Sequence, residues 1–322
     1  MTRAAQFDRI GYFGKIPTRS DFVKVAHDAP AMGMLDDWLA AVMQRLPSNA
    51  RWKIDYDAMA PVSFVFAGPS RKYAVAGHLV ASHDAPGRRF PFLTMRTLDV
   101  ADPPAFLSRC PLAFAPLWSF LETMAPQVLA ASDPAPHLQE ISEAAVPLGE
   151  CEGALAGFLA TGTVSSLSRL LGDLEASRLI LALGLLLQPV MHSKPAQVDK
   201  SLVLPLPEDP ALRAPVAAFW LELVAPFVRR TDFDLALFLT RQEGCPVLVI
   251  GFSGAAAQTL RAIIDPLVGM EQQVRFADTG WIDEQLGLDV DVRALASYLD
   301  QPQLPLKLAR ELFIKTFIGG AT

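Results

Sequence analysis

Ser253, which is followed by a glycine, has the sequence setting that most resembles that of a catalytic nucleophile. Residues 249–255 read as a strand, a glycine-bearing turn and the start of a helix, with Ser253 in the turn. A nucleophile elbow needs the pattern G-x-S-x-G, and here the second glycine, Gly254, comes one residue early. A serine hydrolase using Ser253, with His192 or His137 as base, is therefore the weaker hypothesis. The pattern favours Ser253 as a helix cap that accepts a backbone N–H.

Histidines and carboxylates elsewhere form no recognisable catalytic or metal-binding pattern. If residues 73–82 are a strand, His78 and His83 point to opposite faces of the sheet, which argues against shared metal ligation. Asp36 and Asp37 are adjacent on a predicted helix, so their side chains diverge by about 100°. The 3 cysteines lie far apart and lack CxxC spacing. The sequence therefore predicts no catalytic residue, no metal and no cofactor.

Two segments rich in glycine and proline, residues 11–22 and 86–91, carry charged and aromatic side chains. Glycine and proline restrict the shape of such turns, so the side chains between them are held at defined positions. One interpretation is a rigid recognition surface for another protein. The other is that Asp21 pairs with one of the arginines and pins the loop, a contribution of about 0–1 kcal/mol if exposed. The residues that would bind the partner are Lys15, Arg19, Asp21, Arg88, Arg89 and Phe90.

Apolar periodicity predicts the elements that position these segments. A helix over residues 30–46 has apolar side chains at spacings of three and four, and it packs on an antiparallel strand meander. The strand-like runs of the first half are 10–16, 62–67, 73–82 and 92–98. The predicted helical regions are 103–188, with breaks at 131–137 and 146–149, then 209–227, 255–267, 291–299 and 305–317. The predicted strands of the last third are 232–240 and 247–252, joined by a turn at 244–246.

Composition excludes several classes of protein. The chain has 322 residues, of which 51% are hydrophobic and 19% charged, so it is not a disordered chain. Its net charge of −6 disfavours nucleic-acid binding. The apolar runs that we considered fall short of the roughly 20 residues needed to span a membrane, and the first residues lack the apolar core of a signal peptide. We expect a cytoplasmic protein with no membrane span.

The chain is long enough for two domains. The segment Ser-Asp-Pro-Ala-Pro-His at 132–137 is the best candidate for a linker between them. The predicted units are residues 1–131, with the strand meander, and residues 138–322, with a mostly helical segment followed by a smaller C-terminal α/β unit. The fold class predicted from the residues alone is α/β or α+β.

The two charged segments also carry a resemblance to a known family. Gly-Tyr-Phe-Gly-Lys-Ile-Pro at 11–17, followed by Asp21-Phe22, resembles the opening signature of the TagF (ImpM) family of type VI secretion. The family usually has glycine before this aspartate, where the chain has Ser20. If that position needs a positive φ, the serine is strained or the turn differs. Further matches are Trp38-Leu39, Trp52, Tyr56, Pro61, Ala76-Gly77-His78 and the run Gly-Arg-Arg-Phe-Pro-Phe at 87–92, with weaker ones at Phe219-Trp220 and 247–255.

The resemblance implies a fold and a function that the residues alone do not. It implies an α/β protein whose N-terminal domain, residues 1–131, is a layered α-β-α sandwich. It also implies a non-enzymatic cytoplasmic accessory protein that represses type VI secretion post-translationally by binding the forkhead-associated (FHA) scaffold protein of the system. A structural subunit of the secretion apparatus is a further alternative.

Overall fold

Nine strands form one sheet in the computed structural model, which describes residues 9–189, 198–229, 233–276 and 279–319. Their order across the sheet is β2-β1-β5-β4-β3-β7-β8-β6-β9. Neighbouring strands are antiparallel except for the parallel pair β6 and β9. The strands are β1 Gly11–Gly14, β2 Val23–Val25, β3 Val62–Ala67, β4 Tyr73–Val80, β5 Phe92–Asp99, β6 Ser201–Pro205, β7 Leu235–Gln242, β8 Cys245–Gly251 and β9 Gln273–Arg275.

Helices cover both faces of this sheet. Buried side chains of α1, α2 and α9 pack on one face, and those of α3 to α8 and α11 to α13 pack on the other. The predicted α/β class and the layered α-β-α arrangement are therefore confirmed. The helices are α1 Ala29–Arg45, α2 Trp52–Asp57, α3 Pro103–Ala130, α4 Ala135–Glu143, α5 Glu152–Thr161, α6 Val164–Leu170, α7 Ala176–Leu187, α8 Pro210–Val228, α9 Ala257–Ile264, α10 Pro266–Gln272, α11 Ile282–Leu288, α12 Val290–Leu299 and α13 Leu306–Ile318.

The predicted strand meander is β3, β4 and β5. The β3–β4 hairpin closes through a hydrogen bond from the Arg71 N–H to the Gly68 carbonyl, 3.1 Å. β4 ends at Val80, two residues earlier than predicted, because the chain turns there into the connector that leads to β5. The predicted meander is thus confirmed with one end shortened.

The sheet continues from β3 to a strand of the last third of the chain. β3 pairs with β7 from Ser63 opposite Leu239 to Ala67 opposite Leu235. Arg71, in the β3–β4 turn, also forms a two-point ion pair with Asp234, the residue before β7. All six residues of β3 are buried, since the strand is paired on both sides and covered on both faces. The division into residues 1–131 and 138–322 stays a prediction.

The turn between β7 and β8 lies one residue earlier than predicted. Glu243 and Gly244 have positive φ values of 53° and 83°, the backbone of a two-residue type I′ turn. β8 therefore begins at Cys245 and includes Pro246, both of which were predicted to lie in the turn. Two-residue turns of this type match the twist of antiparallel strands. The turn therefore forms at the Glu-Gly pair.

The residues at the start of helix α1 explain why the helix begins there. The Asp28 side chain accepts the Ala31 N–H at 3.0 Å, and Pro30 occupies the first turn. Its buried stripe includes Trp38, whose ring packs against Phe66 at 5.0 Å and Phe238 at 6.0 Å. These rings come from β3 and β7, so the helix covers the junction between the two parts of the sheet.

Helix α8 corrects the expectation that no segment is long and apolar enough for a membrane. Among the described helices, this 19-residue helix is long and apolar enough to cross a membrane, judged by length and composition alone. However, 67% of its most apolar window is buried inside the protein, as in the core helix of a soluble protein. The Trp220 ring is fully buried, and its indole N–H donates to the Pro205 carbonyl at 3.0 Å. The helix packs against α3 and α13 in the core on one face of the sheet.

Candidate protein-binding surface

Two loops meet beside the start of β5, and together they form what we call the two-loop surface, residues 15–22 and 82–90. The Ala85 N–H donates to the Arg19 carbonyl at 2.8 Å, and the Ser82 hydroxyl donates to the Lys15 carbonyl at 2.6 Å. Gly14, which precedes the first loop, has φ +137°, and a Cβ there would lie 2.0 Å from the Pro91 carbonyl oxygen. The strands approach this closely because position 14 has no side chain.

The Asp84 carboxylate joins the two loops. Its side chain is fully buried and accepts the Lys15 ammonium at 2.9 Å and the Arg88 Nε at 2.7 Å. Its second oxygen accepts the Arg88 backbone N–H at 2.7 Å. Arg88 in turn donates through Nη2 to the Ser20 carbonyl at 2.8 Å. One buried carboxylate thus fixes a lysine from the first loop and an arginine from the second.

The environment of Asp84 favours its ionised form. Burial by itself would raise the pKa of this carboxyl group, but the hydrogen bonds from Lys15 and from the Arg88 backbone and side chain outweigh that effect. The pKa of Asp84 is lowered to about 2. The carboxylate is therefore charged throughout the physiological pH range and keeps both cations in place.

The low pKa of Asp84 predicts how stability depends on pH. A carboxyl group whose pKa falls on folding stabilises the protein above its unfolded pKa, near 3.9, and this contribution is lost as pH falls towards the folded value. We expect the difference in unfolding free energy between wild type and Asp84→Asn to shrink as pH falls from about 4 to about 2. Urea titrations at a series of pH values measure it, and a difference independent of pH would contradict the assignment.

Three phenylalanine rings support the loops on the side of β1. Phe13 stacks on Phe22 with centroids 5.1 Å apart, and Phe90 meets both rings edge-on at 5.6 and 5.0 Å. The Lys15 ammonium lies 5.2 Å from the centroid of the Phe22 ring. Phe22 is nevertheless 43% exposed. This ring therefore belongs both to the support and to the outer surface.

A second ion pair anchors the far end of the 82–90 loop. Arg89 donates through Nε to Asp57 at 2.7 Å, and this hydrogen bond lowers the pKa of Asp57. The nearby Tyr56 hydroxyl donates to the Ser82 carbonyl and accepts the Ser82 N–H, both at 3.0 Å. Helix α2, which supplies Asp57 and Tyr56, thus holds the loop from beneath.

The six predicted binding residues all lie within the two-loop surface, but they differ in exposure. Lys15 and Phe90 are buried, and Arg89 is half-buried in its pair with Asp57. Arg19, Asp21 and Arg88 are exposed. The residues that a partner could touch are therefore these three and Phe22. The three more enclosed residues support them.

The alternative interpretation was that Asp21 pairs with an arginine and holds the loop in place. In the structure Asp84 forms that pair, with Arg88. In the part of the chain that the structure describes, no ion pair joins Asp21 to an arginine, and its carboxylate accepts the neighbouring Phe22 N–H at 2.8 Å. Ser20 is not strained either, since the non-glycine residues with positive φ in the described ranges are Asp173 and Glu243. The turn thus accommodates serine without the left-handed backbone that would require glycine.

The prediction that Ser253 caps a helix is wrong. Helix α9 begins at Ala257, and its cap residue, Ala256, makes no side-chain cap hydrogen bond. Ser253 instead forms an isolated parallel β-bridge with Asp234 through the backbone, and the Asp234 carbonyl accepts the Gly254 N–H at 2.6 Å. This bridge extends the sheet past β8 and delays the start of the helix.

No hydrogen bond in the described ranges joins Ser253 to a histidine. His137 lies in the first turn of α4, which begins at Ala135, within the predicted break at 131–137. His192 lies outside the described residues. The two histidines compared for metal binding also diverge, since His78 bonds to Ser63 while His83 bonds to the Asp84 carbonyl. Within the described residues, no three histidine, cysteine or acidic side chains are grouped to hold a metal.

Comparison with solved structures finds a distant likeness. The crystal structure of PA0076 from Pseudomonas aeruginosa PAO1 matches with 22% sequence identity and a TM-score of 0.37. The match covers 44% of this chain and 65% of that chain. None of the curated proteins matches the chain.

Comparison with protein families gives the assignment. The family model for the TagF N-terminal domain, described as type VI secretion system-associated, matches residues 11–144. This range contains β1 to β5, both loops of the two-loop surface and helices α1 to α4. Residues 11–144 of the chain therefore match the N-terminal domain of the TagF family, a domain associated with the type VI secretion system.

Proposed function

We propose that the chain is a non-enzymatic cytoplasmic protein that represses type VI secretion post-translationally by docking the FHA scaffold protein on the two-loop surface. The observation that carries the proposal is the arrangement of Arg19, Asp21, Phe22 and Arg88, exposed side chains on a buried, ion-paired base. A base that is already ordered reduces the entropy lost on binding. An exposed aromatic ring beside arginine is also a composition that interfaces favour.

The exposed charges suit a phosphorylated partner. The Arg19 guanidinium takes part in no hydrogen bond or ion pair with the described residues, and the Arg88 side chain is 64% exposed although two of its guanidinium nitrogens are bonded. Guanidinium groups bind phosphate through paired hydrogen bonds. Asp21 beside them would disfavour a partner that is acidic throughout. We therefore expect the phosphorylation state of the scaffold to change the affinity.

The test is isothermal titration of the full chain against the FHA scaffold from the same genome, phosphorylated and unphosphorylated. The double variant Arg19→Glu, Asp21→Lys exchanges the charges and keeps the net charge at −6. We expect micromolar or tighter binding by wild type and a loss of about 30-fold, or about 2 kcal/mol, in the variant. Its melting temperature should change little, because neither side chain is buried.

The matched control is the charge exchange Lys307→Glu, Glu311→Lys on the exposed face of α13, which also preserves net charge. It should bind as wild type does. Equal binding by the Arg19/Asp21 variant would move the interface elsewhere, and no heat from wild type in either phosphorylation state would remove the scaffold as partner. The family assignment would stand in both cases.

A further inference from the structure

The sheet ends at β2, and the outer side of this strand offers an edge for pairing. Among the residues that the structure describes, β2 pairs with β1 alone. The edge continues the two-loop surface, because Val23 directly follows Phe22, the last residue of the first loop. A strand edge with free backbone groups is a template for pairing with an extended segment of another chain.

The register between β1 and β2 shows which backbone groups point away from the sheet. Tyr12 lies opposite Val25, and the Val25 carbonyl oxygen points towards β1, since a Cβ on Gly11 would lie only 2.8 Å from it. Opposed residues in an antiparallel pair alternate between those that exchange hydrogen bonds and those that do not. The N–H and C=O of Lys24, the next residue towards the first loop, therefore point outwards.

The outward groups continue on both sides of Lys24. Each peptide unit is planar and trans, so its N–H and C=O point in opposite directions. The Val25 carbonyl faces β1, so the Ala26 N–H points away from it. The Val23 N–H likewise faces β1, so the Phe22 carbonyl points away. None of these outward groups has a hydrogen-bond partner in the part of the chain that the structure describes, and Phe22, Lys24 and Ala26 are all exposed.

The side chains of β2 leave this edge open. Natural proteins often guard an edge with proline or with a lysine that extends over it. The strand reads Val-Lys-Val and contains no proline. The Lys24 ammonium lies 5.3 Å from the centroid of the Phe13 ring, which stacks on Phe22. This charge therefore lies over the aromatic group of the two-loop surface, on the face of the sheet.

The charges beside the edge indicate which kind of segment it would take. Lys24 and Arg19 are exposed, and neither forms an ion pair with a described residue. Side chains directly opposite each other on paired strands interact, and opposite charges there are favourable. An anionic side chain on an added strand, opposite Lys24, would supply the ion pair that Lys24 lacks.

We propose that the partner of the two-loop surface contributes an extended segment that pairs with β2 as a tenth strand and places an anionic side chain beside Lys24. This inference rests on the docking function proposed above and adds how the partner is held. Backbone hydrogen bonds to the strand edge supply affinity, and contacts with Lys24 and the exposed residues of the two-loop surface supply specificity.

The test compares Lys24→Pro with Lys24→Ala in isothermal titration of the full chain against the FHA scaffold. Proline removes the outward N–H but leaves the bonds of Val23 and Val25 to β1, which is why prolines are tolerated at strand edges. Lys24→Ala is the matched control, because it removes the same side chain and keeps the N–H. We expect Lys24→Pro to bind about tenfold more weakly than Lys24→Ala, or weaker still.

The same titration identifies the anionic group. If it is a phosphate, Lys24→Ala should lose more affinity for the phosphorylated scaffold than for the unphosphorylated one. If it is a carboxylate, the two losses should be equal, since the group is present in both forms.

Hydrogen exchange of the wild type gives a second measurement that needs no variant to fold. Binding of the scaffold should slow exchange of the Lys24 and Ala26 amides by about tenfold or more, because both gain a partner. The Val25 amide, already bonded to β1, is the internal reference and should change less.

The outcomes separate this inference from the docking proposal. Absence of binding by wild type removes both. Equal binding by Lys24→Pro and Lys24→Ala, or unchanged exchange at Lys24 in the complex, would overturn the strand pairing and leave the docking proposal standing. A dimer of the chain alone that Lys24→Pro converts to a monomer in analytical ultracentrifugation would also overturn it, because the edge would then belong to a second copy.

Discussion

Replacement of Gly77 by alanine is expected to destabilise the protein by about 3 kcal/mol or more. Gly77 lies in β4 between β3 and β5, and a Cβ there would lie 2.0 Å from the Thr94 carbonyl oxygen and 2.7 Å from the Phe64 ring. The carbonyl belongs to a strand paired along its length, so it cannot move without breaking ladder hydrogen bonds. Urea unfolding of Gly77→Ala beside wild type measures the effect.

Gly33 provides the matched control for this substitution. It lies within helix α1, and a Cβ at this position meets nothing within 4 Å. Alanine is the better helix former, so Gly33→Ala should stabilise the protein by about 0.5–1 kcal/mol. If both variants changed stability in the same direction, the close packing around Gly77 would not be the cause.

The second large effect is expected from Asp84→Ala. The substitution leaves the enclosed Lys15 ammonium without its carboxylate and removes the acceptor for the Arg88 backbone N–H. A buried charge without its partner is strongly destabilising, and we expect the melting temperature to fall by roughly 5 °C or more. Differential scanning calorimetry or circular dichroism melts measure this change.

Asp57→Ala is the control for Asp84→Ala, because it removes a carboxylate paired with the adjacent arginine, Arg89. The Asp57 side chain is 52% exposed, and exposed ion pairs contribute little. Its melting temperature should therefore stay close to that of wild type. Equal losses in the two variants would mean that Asp84 does not have the special role assigned to it.

The elements that are long and locally patterned could be predicted from the sequence. β3 was predicted at its observed bounds, 62–67, and α8 within one residue of its bounds. Their apolar patterns are visible within the segment itself. The same is true of α1, whose capping aspartate and early proline mark its start.

The short elements could not be predicted, because their neighbours stabilise them. β2 and β9 have three residues each and exist through pairing with β1 and β6. The pairing of β3 with β7 is likewise absent from any local pattern, since it joins segments far apart in the chain. Periodicity indicates that a strand is buried but not which strand lies beside it.

The candidate surface shows the same limit at the level of single residues. Sequence patterns located both loops and all six proposed residues within them, but the pinning role was considered for Asp21 and not for Asp84. Asp84 opens the turn Asp-Ala-Pro-Gly, a position that aspartate commonly takes. That signal predicts the turn, whereas the bond to Lys15 depends on the meeting of two loops.

The pairing of β3 with β7 has a consequence for biosynthesis. A chain emerging from the ribosome presents β3 long before β7, so its outer hydrogen-bonding edge lacks its final partner during that interval. The edge is apolar, fully buried in the finished fold and without the charges or prolines that usually guard exposed strands. Such an edge pairs readily with other nascent chains. The edge of β3 therefore stays open until β7 has been synthesised, and this interval is when the chain is most exposed to aggregation.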